Sequence, residues 1–153
     1  PLFISWVANQ KKVSSNFIKI SRDVNLDITN WVVKKITKKL RKRQPKILII
    51  GMAYKRDVDD YRESPSIEIF NKLKRRKYSI DYFDPYISKI NIKNKIYYSL
   101  TKISNVKLKS YNAIIIATDH RNINYKSILK NSKIIFDTRG VFQNINDPKV
   151  VHC

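Results

Sequence analysis

Residues 51–66 read GMAYKRDVDDYRESPS and set Lys55, Arg56 and Arg62 among Asp57, Asp59, Asp60 and Glu63, in a chain that is otherwise strongly basic. Lys and Arg bind phosphate or carboxylate through charge-assisted hydrogen bonds, and neighbouring acids can hold such cations in place. The competing reading is a set of surface salt bridges closed within the segment, and it weighs more for Lys55 and Arg56 than for Arg62. A further cation, Arg139, stands in KIIFDTRG directly after an apolar run, where an arginine points across the end of a buried strand. His120 in ATDHRN has one neighbouring carboxylate, Asp119, and no second histidine close by, so a solvated or capping histidine is the better reading than a general acid or metal ligand. His152 and Cys153 read as tail. No residues are spaced as a Ser-His-Asp triad, a carboxylate pair or a metal set, so no catalytic residue and no metal ligand is assigned. With glycine only at positions 51 and 140, the chain has neither a G-x-G-x-x-G fingerprint nor a Walker loop, and any phosphate must be held by side chains.

The elements that would position these residues follow from periodicity. KILII (46–50) is a continuous apolar run ended by Gly51, the pattern of a strand buried on both faces. YSIDYF (78–83), stopped by Asp84-Pro85, reads as the next strand, and NAIIIA (112–117) and KIIFD (133–137) as further buried ones. KIYY (95–98) reads as a short strand and KVVH (149–152) as an edge strand. Between them, Ser64 and Pro65 are an N-cap and first helical residue for SIEIFNKLKRRK, while SLTKISNVKLKS (99–110) and YKSILKN (125–131) are shorter helices. Ahead of the strands, Phe17, Ile20, Val24, Ile28, Trp31, Val32, Ile36 and Leu40 recur at helical spacing. They predict a long amphipathic helix with Thr29-Asn30 as the place for a break, a basic end KKLRKR and a stop at Pro45. An apolar stripe that long calls for a partner. The pattern is that of an α/β chain, an open doubly wound, Rossmann-like parallel sheet preceded by a long α-helix, divided as 1–44 and 45–153. Ligands of such sheets lie at the carboxyl ends of the strands, which here read GMAYKRD, FDPY, ATDH and FDTRG.

Length and composition set outer limits. The 153 residues suffice for one domain, or for a domain with an arm. No apolar run approaches the length of a membrane span, and the opening PLFISWVANQ lacks the form of a signal peptide. A soluble, cytoplasmic protein without a membrane partner is expected, and a start at Pro1 reads as a piece of something longer. The single cysteine, Cys153, excludes an intrachain disulfide. A formal charge of +20 invites a nucleic-acid partner. The charge is scattered along a chain rich in Lys, Ile, Asn and Tyr, as an AT-rich coding genome imposes, and nucleic acid is the weaker expectation.

The segment ILIIGMAYKRDVDDYRESPSIEIFNKL resembles the UDP-glucose/GDP-mannose dehydrogenase family, whose third segment opens with a strand followed by G-x-A-[YF]-K-x-D-x-x-D-x-R-E-S-P. Gly51, Ala53, Tyr54, Lys55, Asp57, Asp60, Arg62, Glu63, Ser64 and Pro65 all fall in place. YFDPY, AIIIATDH and FDTRGVF look like later family signatures, while PLFISW is similar to the start of the family's long central helix and NFIKISRDVNLDITNWVV to that helix, used in the family for dimerisation. The resemblance implies a C-terminal UDP-binding domain plus that helix, from an NAD-dependent UDP-sugar 6-dehydrogenase. Such enzymes oxidise the C6 alcohol of UDP-glucose or a UDP-N-acetylhexosamine to a carboxylate, in polysaccharide precursor synthesis. It also implies that the catalytic Cys, an Asp and the main NAD-binding domain precede Pro1, leaving these residues inactive alone. Tyr54, Lys55 and Arg139 would contact the UDP-sugar, Arg62 would reach the NAD side, and Asp60 and Glu63 would position these cations. A homodimer through residues 17–40 follows. The alternatives are a basic nucleic-acid-binding module and a non-catalytic dimerising remnant.

Overall fold

The computed structural model describes residues 2–14, 16–40 and 43–153. Two helices come first, α1 (Leu2–Gln10) and α2 (Asn16–Lys39), followed by β1 (Lys46–Ile50), α3 (Pro65–Arg75) and β2 (Ser79–Phe83). The chain continues through β3 (Lys89–Ile92), β4 (Lys95–Tyr98), α4 (Asn105–Ser110), β5 (Ala113–Ile116), α5 (Tyr125–Asn131), β6 (Ile135–Asp137) and β7 (Val150–His152). Among the described residues five strands form one sheet in the order β2-β1-β5-β6-β7, and every neighbouring pair in it is parallel. The sheet is thus the open, Rossmann-like one expected. The chain leaves β1 for one side of the sheet and later returns to the other, so the order reverses between β1 and β5.

Strand β1 shows why its sequence is apolar throughout. Ile47 and Ile49 pack into the cluster that contains Val32, Ile36, Phe70 and Leu73, whereas Leu48 and Ile50 pack on the opposite face with Leu108, Tyr111 and Ile128. Alternate side chains serve opposite layers, and both layers are helix-covered. Ser64 caps α3, its hydroxyl accepting from the Ser66 N–H at 3.3 Å. The helix ends where the backbone N–H groups of Arg76 and Lys77 bond back to Leu73 and Lys74 and Lys77 turns left-handed at φ 62°.

Several elements differ from the sequence reading. Helix α2 runs unbroken through Thr29-Asn30, where Lys72 Nζ reaches from α3 to both side chains. The opening residues form the separate α1, ended by left-handed Lys12 at φ 57° with the Val13 N–H on the Ala8 carbonyl. Helix α4 begins only after its Ser104 cap. The preceding Leu100 N–H is taken by the Tyr82 carbonyl and Ser99 Oγ by the Asp84 backbone, which hold 99–100 extended. KIYY is half of a hairpin with β3, closed by Lys93 and Asn94 at φ 49° and 63°, the left-handed pair of a tight two-residue turn. Arg41 and Lys42 of the predicted basic end lie outside the described residues.

The stripe on α2 divides in two. Val32, Val33, Ile36 and Leu40 are buried in the core, while Phe17, Ile20, Val24, Ile28 and Trp31 lie exposed. No helix among the described residues is long and apolar enough to cross a membrane.

Gly51 is the tighter of the two glycines. Its φ is 83°, and a Cβ there would lie 2.2 Å from the Thr118 carbonyl oxygen. Gly51→Ala should therefore lower stability by at least about 2 kcal/mol, read as a fall in the urea midpoint at unchanged m-value.

Candidate functional site

The reversal between β1 and β5 leaves a cleft of about 380 Å³ at the carboxyl edge of the sheet. Its walls are Tyr54 and Lys55 after β1, Pro65, Ser66 and Ile69 of α3, Ala117 and Thr118 after β5, Thr138 and Arg139 after β6, and Ile28, Thr29 and Val32 of α2.

The loop after β1 carries Tyr54 and Lys55 outward and is fixed by polar contacts. The Gly51 N–H donates to the Phe83 carbonyl. Met52 and Ala53 donate their N–H groups to Asp84 Oδ2 at 2.6 and 2.9 Å. The other oxygen of Asp84 accepts from the Tyr86 and Ile87 N–H groups at 2.8 and 3.0 Å. His120 completes the set with Nε2 at 3.1 Å from Asp84 Oδ2. Its Nδ1 accepts the Asp57 N–H at 3.0 Å, which leaves the ring proton on Nε2 to donate to Asp84.

The three residues Thr118, Asp119 and His120 strap this loop from β5. Thr118 Oγ1 donates to the Ala53 carbonyl at 2.7 Å, and the Ser64 hydroxyl meets the same carbonyl at 3.3 Å. Asp119 pairs with Arg56 and Arg139. His120 holds Asp57, which adopts φ 59° and in turn binds Arg121. His120 is therefore neither solvated nor a cap. It is 1% exposed and sits between two carboxyl-bearing loops, so that burial and two hydrogen bonds override the lone-histidine reading.

Of the residues singled out in the sequence, Tyr54, Lys55 and Arg139 meet in the cleft, and Arg62 does not line it. Arg62 projects into solvent at 84% exposure with its guanidinium doubly bonded to Asp60. The Arg62 hydrogen bonds hold the Asp60 carboxyl down at about 2. The acids of the segment thus reach fewer cations than expected. Asp60 serves Arg62, Glu63 is exposed at φ 56°, and Arg56 and Arg139 take their counter-charge from Asp119. Lys55 makes no ion pair among the described residues, and its Nζ lies 5.8 Å from the centre of the Tyr54 ring. Sequence reasoning passed over Asp84, Thr118 and Asp119 as site residues. The available signal was polar side chains placed directly after apolar strands.

Residues 48–144 match the sequence profile of the UDP-glucose/GDP-mannose dehydrogenase family, UDP binding domain. The chain belongs to this family. The family match begins within β1 and ends after the Arg139 turn, so it covers all three strand ends that line the cleft. UDP-N-acetyl-D-mannosamine dehydrogenase of Methanococcus maripaludis strain C7 is 30% identical over 151 residues, covering 91% of this chain and 34% of that protein. The structure of the UDP-N-acetyl-mannosamine dehydrogenase of Staphylococcus aureus aligns at 25% identity and TM-score 0.66, over 92% of this chain and 34% of the other. GDP-mannose dehydrogenase of Pseudomonas aeruginosa shares the fold at TM-score 0.76 and 15% identity, over 97% of this chain and 36% of the other. The chain spans about a third of the length of the curated relatives it matches.

Asp84 offers a test of how the loop is held. Burial pushes its carboxyl up, but the His120 hydrogen bond and the backbone N–H groups of Tyr86 and Ala53 outweigh this and hold it below its ordinary 3.8. A depressed carboxylate contributes stability that is complete above the unfolded-state value and is lost as pH falls through the folded one, hence below about pH 4. Asp84→Asn should lower stability at pH 7 by about 2–4 kcal/mol. It should also flatten the acid limb of the urea midpoint against pH, and an unchanged acid limb would remove Asp84 from this role.

Proposed function

We propose that the cleft binds the nucleotide of a UDP-sugar, with Tyr54, Lys55 and Arg139 as the contacts. The observation that carries this reading is the convergence of an exposed aromatic and two cations, from two different strand ends, on one cleft at the switch point of the sheet. Lys55 and Arg139 oppose the charge of a diphosphate through charge-assisted hydrogen bonds. Tyr54, 49% exposed, offers a ring face beside them. The names of the relatives favour a UDP-N-acetylhexosamine over UDP-glucose.

In this reading the residues described form the binding part of an NAD-dependent UDP-sugar 6-dehydrogenase acting in polysaccharide precursor synthesis in the cytoplasm. Residues 45–153 grip the nucleotide and 1–44 form the dimerising region. The described loops contain no glycine-rich turn to cradle a dinucleotide. Arg62, turned out to solvent by Asp60, is the side chain that would reach NAD held by residues outside this chain. NAD would supply the oxidising equivalents. The role left to these residues is to bind and orient the nucleotide.

Arg139→Ala should weaken UDP binding by about 1.5–3 kcal/mol, measured by isothermal titration calorimetry. Unchanged affinity would overturn the assignment of Arg139.

The exposed stripe Phe17, Ile20, Val24, Ile28 and Trp31 on α2 is the surface proposed for a homodimer, since five large apolar side chains on one helix face favour burial against a second apolar face. Wild-type protein should sediment as a dimer at micromolar concentration, and the double variant Val24→Asp, Trp31→Glu as a monomer. A monomeric wild type would remove the helix from this role.

A further inference from the structure

We infer that Asp119 and Arg56 govern the affinity of the cleft for phosphate from outside it, by fixing the orientation of Arg139; the inference rests on the UDP-binding reading above. Asp119 is buried at 9% exposure, and each of its carboxylate oxygens is committed to a different arginine. Oδ1 accepts from Arg139 Nε at 3.2 Å. Oδ2 pairs with a terminal amino group of Arg56, while the backbone carbonyl of Asp119 accepts from Arg56 Nε at 2.9 Å. Arg56 is therefore gripped at two points, and in return it prevents the carboxylate from turning to engage Arg139 with both oxygens.

The consequence lies in the donors left to Arg139. A guanidinium carries five N–H groups, and Nε accounts for one. Tethered by Nε, Arg139 keeps both terminal amino groups outside the Asp119 contact, and its backbone is held as well, the N–H donating to Asp137 Oδ1 at 3.0 Å. A carboxylate engaged side-on would take a terminal amino group as well and swing the fork toward itself. The charges agree with this arrangement. One carboxylate shared by two arginines leaves the trio with a single positive charge, and Lys55 adds another, matching a diphosphate. Arg56 and Asp119 do not line the cleft. They are positioning residues whose effect passes through Arg139.

The test uses Asp119→Asn and the charge-preserving Arg56→Lys, each made in the wild type and in the Arg139→Ala background. UDP and uridine are titrated by NMR up to millimolar concentration, with thermal unfolding recorded for every variant. Each single variant should weaken UDP about threefold to tenfold and leave uridine, which has no phosphate, nearly unchanged. In the Arg139→Ala background neither should cost more than about twofold further, as expected when two residues act through a third. An equal loss in both backgrounds, an equal loss for UDP and uridine, or no loss from either variant would overturn the inference. Should Asp119→Asn fail to fold, Arg56→Lys carries the test alone, because the Arg56 side chain is 51% exposed and keeps its charge. Failure of the wild type to bind UDP would instead overturn the reading of the cleft itself.

Discussion

The carboxylate of Asp84 is the interaction on which the rest of the site depends. It stands at the end of β2 and accepts four backbone N–H groups, two from the loop after β1 and two from its own turn, together with the Nε2 proton of His120. A parallel sheet ends in loops whose backbone donors have no strand partner, and a buried donor without an acceptor costs about 1–3 kcal/mol. One carboxylate at the meeting of three strand ends satisfies the donors of two loops and orients the third through the imidazole. The loop is thereby stiff where it turns, at Gly51 to Ala53, and presents Tyr54 and Lys55 beyond the stiff part.

A division of labour among charges follows. The acids bonded to the cleft's cation and to its loop are Asp119, which pairs with Arg139, and Asp84, which accepts from the Met52 and Ala53 N–H groups, rather than the run Asp57, Asp59, Asp60 and Glu63 that crowds the sequence around Lys55. Asp57 pairs with Arg121 and its N–H donates to the imidazole, while Asp60 neutralises Arg62 in solvent. The cleft is left with Lys55 unpaired by any described carboxylate and with the Arg139 guanidinium sharing Asp119 with Arg56. A counter-charge shared between two cations neutralises each less than a private one would. The formal net charge of +20 adds a long-range attraction for any polyanion, which salt screens within about 10 Å.

The cleft also joins two structural regimes. Ile28, Thr29 and Val32 bring α2 into its wall, at the place where the apolar stripe of that helix passes from exposed to buried. Lys72 of α3 ties Thr29 and Asn30 to the helix that follows the loop after β1. Movement of the exposed half of α2 would therefore reach one wall of the cleft directly, through a continuous helix.

Apolar runs, their spacing and the turn residues were enough to read a parallel α/β sheet behind a long helix, because a strand buried on both faces has no polar positions to disguise it. They also placed Tyr54, Lys55 and Arg139 at strand ends. What the sequence could not carry was pairing across loops. The run of charge at 55–63 suggested local ion pairs, since contacts near in sequence are the only ones a sequence displays. In the folded chain Arg56 and Arg139 share Asp119, and His120 is buried between Asp57 and Asp84, all through the adjacency of β1, β2, β5 and β6. The β3–β4 hairpin was half missed for a related reason. Its first strand, KINI, is short, and its Ile90 and Ile92 are buried only once the core cluster that includes Phe70 and Tyr82 has formed. Local propensity and hydrophobic period determined the elements, while the partners of each charged group were decided by strand order, a property that exists only once the sheet has formed.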